Sequence, residues 1–243
     1  MRHLPRAALS QAALDKLQVL TQEVTSAADP KAKAKARWKS KPKDTFDEVR
    51  AALEAMASGH ARCMYCEDSL GTDIDHFWPK ADFPERAFKW ENYLLACSYC
   101  NSNLKRNQFP RDAAGQPELL DPTVDEPAKH LFFLPTDGRF LAIGPKGHQS
   151  IAVFGLNDNA PPRQLPRARV QAFLRLEALI REYDRVVRTD PARAAELQDA
   201  ARQHPFSGVL VWLTRIAQGP NAAVVLGAGL LALIQQHGVV GWV

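Results

Sequence analysis

The sequence predicts an α+β fold, a small strand-containing core set between helical N- and C-terminal regions. Three observations point to it. All four cysteines fall in two Cys-x-x-Cys pairs, Cys63/Cys66 and Cys97/Cys100, with 30 residues between the pairs. Apolar residues recur at helical spacing before the first pair and again beyond Arg167. Between these regions, short apolar stretches are broken by glycine and proline, as in a small sheet. With 243 residues, 46% of them hydrophobic and 24% charged, the chain can bury a real core without disulfides. Wholly disordered, collagen-like and disulfide-scaffold classes are excluded.

Residues 1–60 read as a helical region. Leu9, Ala13, Leu17, Leu20 and Val24 form one apolar stripe, and Phe46, Val49, Leu53 and Met56 form a second. Between them lies a basic segment in which Lys31, Lys33, Lys35, Arg37, Lys39, Lys41 and Lys43 alternate with uncharged residues. The formal net charge is only +4, so this strip alone accounts for the basic character of the chain. It reads either as a solvated linker between two helices or as an arm that touches a polyanion without reading its sequence. Residues 61–112 contain both cysteine pairs. Residues 113–160 read as a small strand and loop region, with apolar stretches at His130–Leu134, Phe140–Ile143 and Ser150–Gly155. Residues 161–243 read as helical, led by the stripe Phe173, Leu176, Ile180, Tyr183 and Val187. The most apolar stretch, Ala222–Ile234, is 13 residues with two glycines, short of the roughly 20 that span a bilayer. Charges interrupt the N-terminus where a secretory signal would be apolar, so a soluble, cytoplasmic protein with no membrane partner is expected. The apolar last 40 residues read equally as a cap on the core or as a docking face.

Two Cys-x-x-Cys pairs fit four thiolates placed tetrahedrally around one structural Zn²⁺. A redox reading would explain one pair and leave the second without a purpose. Between the pairs run Asp73-Ile74-Asp75-His76-Phe77-Trp78-Pro79-Lys80 and Trp90-Glu91-Asn92-Tyr93, and the second pair opens into Asn101-Ser102-Asn103-Leu104-Lys105. Cleavage of a phosphodiester by water needs a base for the water and a cation near the leaving oxygen. His76 is the one side chain in this segment suited to take a proton at neutral pH. Asp75 and a second oxygen donor can hold Mg²⁺ or Mn²⁺ with positions left open for phosphate and water.

The order Cys-x-x-Cys, Asp-His, Asn, Cys-x-x-Cys-Asn and Lys resembles the HNH endonucleases in their zinc-knuckle form, over roughly Ala61 to Pro110. The resemblance implies a ββα-metal core with His76 as general base and Asn92 as a group orienting the histidine loop. It implies Asp75 and Asn101 as ligands of the catalytic divalent ion, with Asn103 and Asp73 as alternatives to Asn101. It also implies products with 5′-phosphate and 3′-hydroxyl ends. Lys105, four residues beyond Asn101, is expected on the same helical face and within reach of a phosphate, with Lys80 as a second nucleic-acid contact. Adjacent residues of a regular strand point to opposite faces, so Asp75 and His76 can share a site only if the strand ends or bends there.

The opening Met1-Arg2-His3-Leu4, the knuckle Cys63 to Glu67, Leu94-Leu95-Ala96-Cys97 and Leu120-Asp121-Pro122 resemble one subgroup, the HNH nucleases of bacterial Septu-type and retron-associated anti-phage defence. That resemblance implies an ABC- or SMC-like ATPase partner; no phosphate-binding P-loop pattern is present here, so any ATP hydrolysis is expected from that partner. The expectation is a metal-dependent endonuclease acting on DNA or, as a second polymer, RNA. The competing reading is a zinc-based adaptor that binds nucleic acid and a partner without catalysis.

Overall fold

The computed structural model describes residues 1–243. Helix α1, Gln11–Thr25, starts where the Ser10 side chain accepts from the Ala13 backbone N–H, and it buries Ala13, Leu17, Leu20 and Val24. Helix α3, Lys43–Met56, buries Phe46, Val49, Leu53 and Met56. These are the two stripes legible in the sequence; the helices pack beside each other, and α3 also packs against the strand at residues 93–96.

The basic strip is not a linker. Pro30–Lys39 form helix α2, with Asp29 accepting from the Ala32 N–H at its start and Pro30 in its first turn. The aspartate satisfies an otherwise orphaned donor, and proline presets the helical φ where its missing N–H costs nothing. Alanines favour the helix, and Trp38 anchors its end by packing edge-on to Phe46 with centroids 5.3 Å apart.

Strand β1, Asp73–His76, pairs antiparallel with β2, Tyr93–Ala96, placing Asp75 opposite Leu94 and His76 opposite Tyr93. The first knuckle is stitched to this ribbon by the Met64 N–H on the Leu95 carbonyl at 2.8 Å. The chain then enters a π-helical segment, Tyr99–Lys105. The N-terminal segment closes over the back of the ribbon. Leu4 N–H donates to the Pro122 carbonyl at 2.8 Å, and Arg6 donates to the carbonyls of Trp90, Glu91 and Tyr93. Two short phrases far apart in the sequence, Met1–Leu4 and Leu120–Pro122, therefore meet in space.

A second ribbon pairs β3, Leu131–Phe133, with β4, Phe140–Ala142. The Ser150–Gly155 stretch, expected to be a third piece of this sheet, belongs instead to helix α4, Gly144–Phe154. Pro145 sits in its first turn and Gly155 ends it at φ +55°, the usual punctuation of a helix. The Ser150 hydroxyl accepts from the Leu120 N–H at 2.8 Å, so its polar atom is satisfied although fully buried.

Helices α5 (Leu165–Val186), α6 (Pro191–Arg202), α7 (Ser207–Ala217), α8 (Ala222–Leu226) and α9 (Ala228–Gln236) complete the chain. The apolar C-terminal region mainly covers the protein's own core: Val209, Leu210, Trp212, Leu213, Leu230, Ile234, Val239 and Trp242 are all buried. Val224 and Val225 remain exposed beside Phe132. No helix is long and apolar enough to cross a membrane.

Candidate metal centre and nuclease cleft

The four cysteine sulfurs lie within 4.8 Å of one another, and all four residues are buried. Around a zinc ion with bonds of about 2.3 Å, tetrahedral ligands stand about 3.8 Å apart. The Cys66–Cys97 separation of 4.0 Å matches that cage. Burial pushes the Cys63 thiol up, while hydrogen bonding from Cys100 holds Cys66 and Cys97 down. Thiols so crowded ionise together only around a cation, so the donor set fits Zn²⁺. Two donors support the sulfurs: the Cys100 N–H on Cys97 Sγ at 3.4 Å and Arg163 on Cys100 Sγ at 3.6 Å.

Glu67, directly after the first pair, holds this centre to the C-terminal helices. It lies at φ +60° with 2% of its surface exposed, and its Oε1 accepts from the Gly208 N–H at 3.2 Å. The approach is so close that a Cβ on Gly208 would lie 2.5 Å from Glu67 Oε2. The carboxylate also faces the buried N-terminal ammonium of Met1, 2.6 Å from Oε2, which balances its charge.

Beside the zinc module, Asp75, His76, Lys80 and Asn101 line one cavity of about 420 Å³. Asp75 and His76 both line it at the end of β1, just before the Phe77 N–H extends the pairing onto the Asn92 carbonyl at 2.8 Å. His76 Nε2 faces the Ala87 carbonyl at 3.0 Å. A carbonyl only accepts, so Nε2 carries the proton and Nδ1 keeps its lone pair. Nδ1 has no protein partner and is not sealed from solvent, so the lone pair is free to act in the cavity. Trp38 packs against the ring with centroids 4.3 Å apart. Burial, and then the nearby Lys80 ammonium, lower the His76 pKa to about 3, so the ring is neutral at physiological pH.

Asp75 is 4% exposed and firmly held. The Tyr65 hydroxyl donates to its Oδ2 at 2.5 Å, and Lys105 Nζ stands 2.9 Å from Oδ2 and 3.1 Å from Oδ1. Here the structure departs from the sequence reading. Lys105 is 0% exposed and points inward, donating also to the His76 carbonyl at 2.6 Å, so it is not placed to meet a phosphate. The cause is the wider π-helical turn, in which Arg106 N–H reaches back five residues to the Asn101 carbonyl at 2.8 Å. A spacing of four therefore does not keep Lys105 on the Asn101 face.

Asn92 lies outside the cavity and laces the loop that follows His76. Its Oδ1 accepts from the Trp78 N–H at 2.7 Å, and its Nδ2 donates to the carbonyls of Trp78 and Arg86, each at 3.0 Å. Asn101 Nδ2 donates to Asp73 Oδ2 at 3.0 Å, which leaves the Asn101 amide oxygen free. Asn103 is exposed and does not line the cavity. The hard oxygen donors lining the cavity are thus the Asp75 carboxylate and the Asn101 amide oxygen. Sequence reasoning missed Tyr65, Trp38 and Arg106, the last two of which line the cavity; Lys31 and Lys35, read only as part of a linker or polyanion arm, line it too. Asp29-Pro30, a cap followed by a first-turn proline, was the signal available for α2.

Residues 63–107 match the HNH endonuclease family. The match is confined to this segment. The matched range opens at Cys63 and closes two residues after Lys105, so it contains the zinc centre and all the cavity residues except those of α2. The chain is also similar to Septu protein PtuB from Bacillus thuringiensis, 30% identical over 116 residues. That similarity covers 45% of this chain and 41% of the relative, so the chain spans about two fifths of the protein it matches.

Proposed function

We propose that this chain is a metal-dependent endonuclease that hydrolyses phosphodiester bonds, with DNA as the favoured polymer. The observation that carries the reading is His76: its Nε2 proton is fixed on a carbonyl, its Nδ1 lone pair is free, and a cavity with Asp75 and Asn101 lies before it. In this reading Nδ1 takes the proton of the attacking water. Asn92 holds the loop that supplies the Ala87 carbonyl, and the carbonyl holds the ring. Tyr65 and Lys105 aim the Asp75 carboxylate, and Asn101 presents its amide oxygen. Asp75 and Asn101 would hold a divalent ion, whose chemistry when bound would be Lewis-acid stabilisation of the leaving oxygen. Lys80 and Arg106 add positive charge at the rim.

The likeness to a Septu protein supports a role in anti-phage defence. There an ABC- or SMC-like ATPase partner, implied by the resemblance to Septu-type and retron-associated nucleases, supplies the ATP chemistry this chain lacks. The test is incubation of the zinc-loaded protein with plasmid DNA and total RNA, with and without added Mg²⁺ or Mn²⁺, and with and without the ATPase encoded beside it. The reading expects DNA cleavage only with the added ion. Cleavage of RNA alone would reassign the substrate. Binding of nucleic acid and ATPase without cleavage under any condition would leave a zinc-based adaptor instead.

A further inference from the structure

The seven basic residues from Lys31 to Lys43 fall at every second position, which on a helix means steps of about 200°. Helix α2 carries the first five, Lys31 to Lys39, and divides them between two faces, which the structure treats differently. On one, Arg37 Nε lies 2.9 Å and Lys33 Nζ 3.5 Å from Glu23 of α1. These two cations are used inside the protein. On the other, Lys31, Lys35 and Trp38 follow one another at spacings of four and three, a single helical stripe, and all three line the cavity of His76 and Asp75. Lys31 and Lys35 are exposed and have no carboxylate within 4 Å.

Trp38 sets the register of this stripe on the site. Its ring packs on His76 and lies under the ammonium groups of Lys80 and Lys41, at 5.4 and 4.9 Å from the ring centroid. From Trp38 the stripe runs outward past Lys35 to Lys31, the two lysines about 6 Å apart along the helix axis. The only acid lining the cavity is Asp75, and its charge is already faced by buried Lys105. Facing it are Lys31, Lys35, Lys80 and Arg106. A cleft so lined attracts an extended polyanion and aligns it along α2.

We propose that the Lys31/Lys35 face of α2 is a backbone-binding site for the strand being cut, holding the phosphates next to the scissile one. The proposal rests on the nuclease reading of the cavity and adds the surface that grips its substrate. It specifies phosphate contact without base reading, because lysine ammonium groups on a helix flank offer charge and no fixed pattern of donors to base edges.

The test compares two double variants that remove the same charge from the same helix: Lys31→Gln/Lys35→Gln and Lys33→Gln/Arg37→Gln. Binding of a fluorescein-labelled 20-base-pair DNA duplex is measured by anisotropy over a salt series without added divalent ion, and plasmid cleavage is measured with Mn²⁺. The first variant should bind at least about tenfold more weakly, with a salt slope shallower by about 1.8, as expected for two lost phosphate contacts. The second should keep affinity within about twofold of wild type. Glu23→Gln, which frees the opposite face without removing a cation, should leave the slope unchanged. Equal weakening of the two double variants, no weakening in either, or a wild type that binds no duplex would overturn the proposal. A wild type that binds but never cuts would overturn the nuclease reading alone, because the two variants still separate in binding.

Discussion

Replacing Lys105 with methionine separates the two roles that lysine could play. Its ammonium is 0% exposed, lies 2.9 Å from Asp75 Oδ2, and donates to the His76 carbonyl at 2.6 Å. Methionine keeps most of the apolar stem and removes only the charge and its bonds. Removing one partner of a buried ion pair costs about 3–5 kcal/mol, because the other charge is left without compensation. For a chain of this size each kcal/mol moves the melting temperature by about 2–4 °C, so a fall of about 10 °C is expected. Differential scanning calorimetry of zinc-loaded protein without added Mg²⁺ reads it directly. Asp75→Asn in the same chain should recover part of the loss, giving a favourable coupling between the two sites. A melting temperature within about 2 °C of wild type, together with weaker DNA binding, would refute the buried pair and return Lys105 to the phosphate-facing role.

Three further outcomes follow from the geometry. Cys97→Ser should release the zinc and unfold the segment around the two knuckles, read by elemental analysis and near-UV circular dichroism; retained zinc with an unchanged spectrum would contradict the four-thiolate centre. Gly208→Ala places a Cβ 2.5 Å from Glu67 Oε2 and should destabilise the fold by about 1–3 kcal/mol, seen as a lower urea midpoint with zinc content intact. The His76 pKa is lowered by burial from 6.5 to about 3, so the folded state binds fewer protons than the unfolded chain between those values. Its contribution to stability is thus complete above pH 6.5 and fades as pH falls toward 3, amounting to about 2 kcal/mol between pH 7.5 and 5. Urea titrations at those two pH values should show that extra loss in wild type and not in His76→Gln; equal losses would place His76 in solvent.

The four-cysteine centre was legible because cysteine is scarce and its spacing here is strict. Four cysteines in two pairs admit few arrangements, and an Asp-His dipeptide between them narrows the chemistry further. Helices α1 and α3 were legible through their apolar stripes, since burial of one face is what makes each helix pay. Helix α2 has no such stripe. It buries only Ala34 fully, and its stability comes from a capping aspartate, a first-turn proline, alanines and the docking of Trp38. Alternating lysines hide a helix from any search for apolar periodicity. The fate of Lys105 was hidden for another reason, because one residue of extra turn in Tyr99–Lys105 sends a side chain from surface to interior. Tyr65, which reaches the site from between two zinc ligands, was visible only as part of a knuckle. Its bond to Asp75 joins the structural metal centre to the cleft.

The proposed role of His76, acting through its free Nδ1, is tested most directly by plasmid cleavage. Plasmid DNA should be cut by the wild-type protein with Mg²⁺ or Mn²⁺, and His76→Ala should cut it about 10²–10⁴-fold more slowly, the usual worth of a positioned general base. The variant must match wild type in zinc content and duplex affinity, so that only the chemistry differs. A His76→Ala protein that meets those conditions and cleaves at the wild-type rate would contradict the assignment.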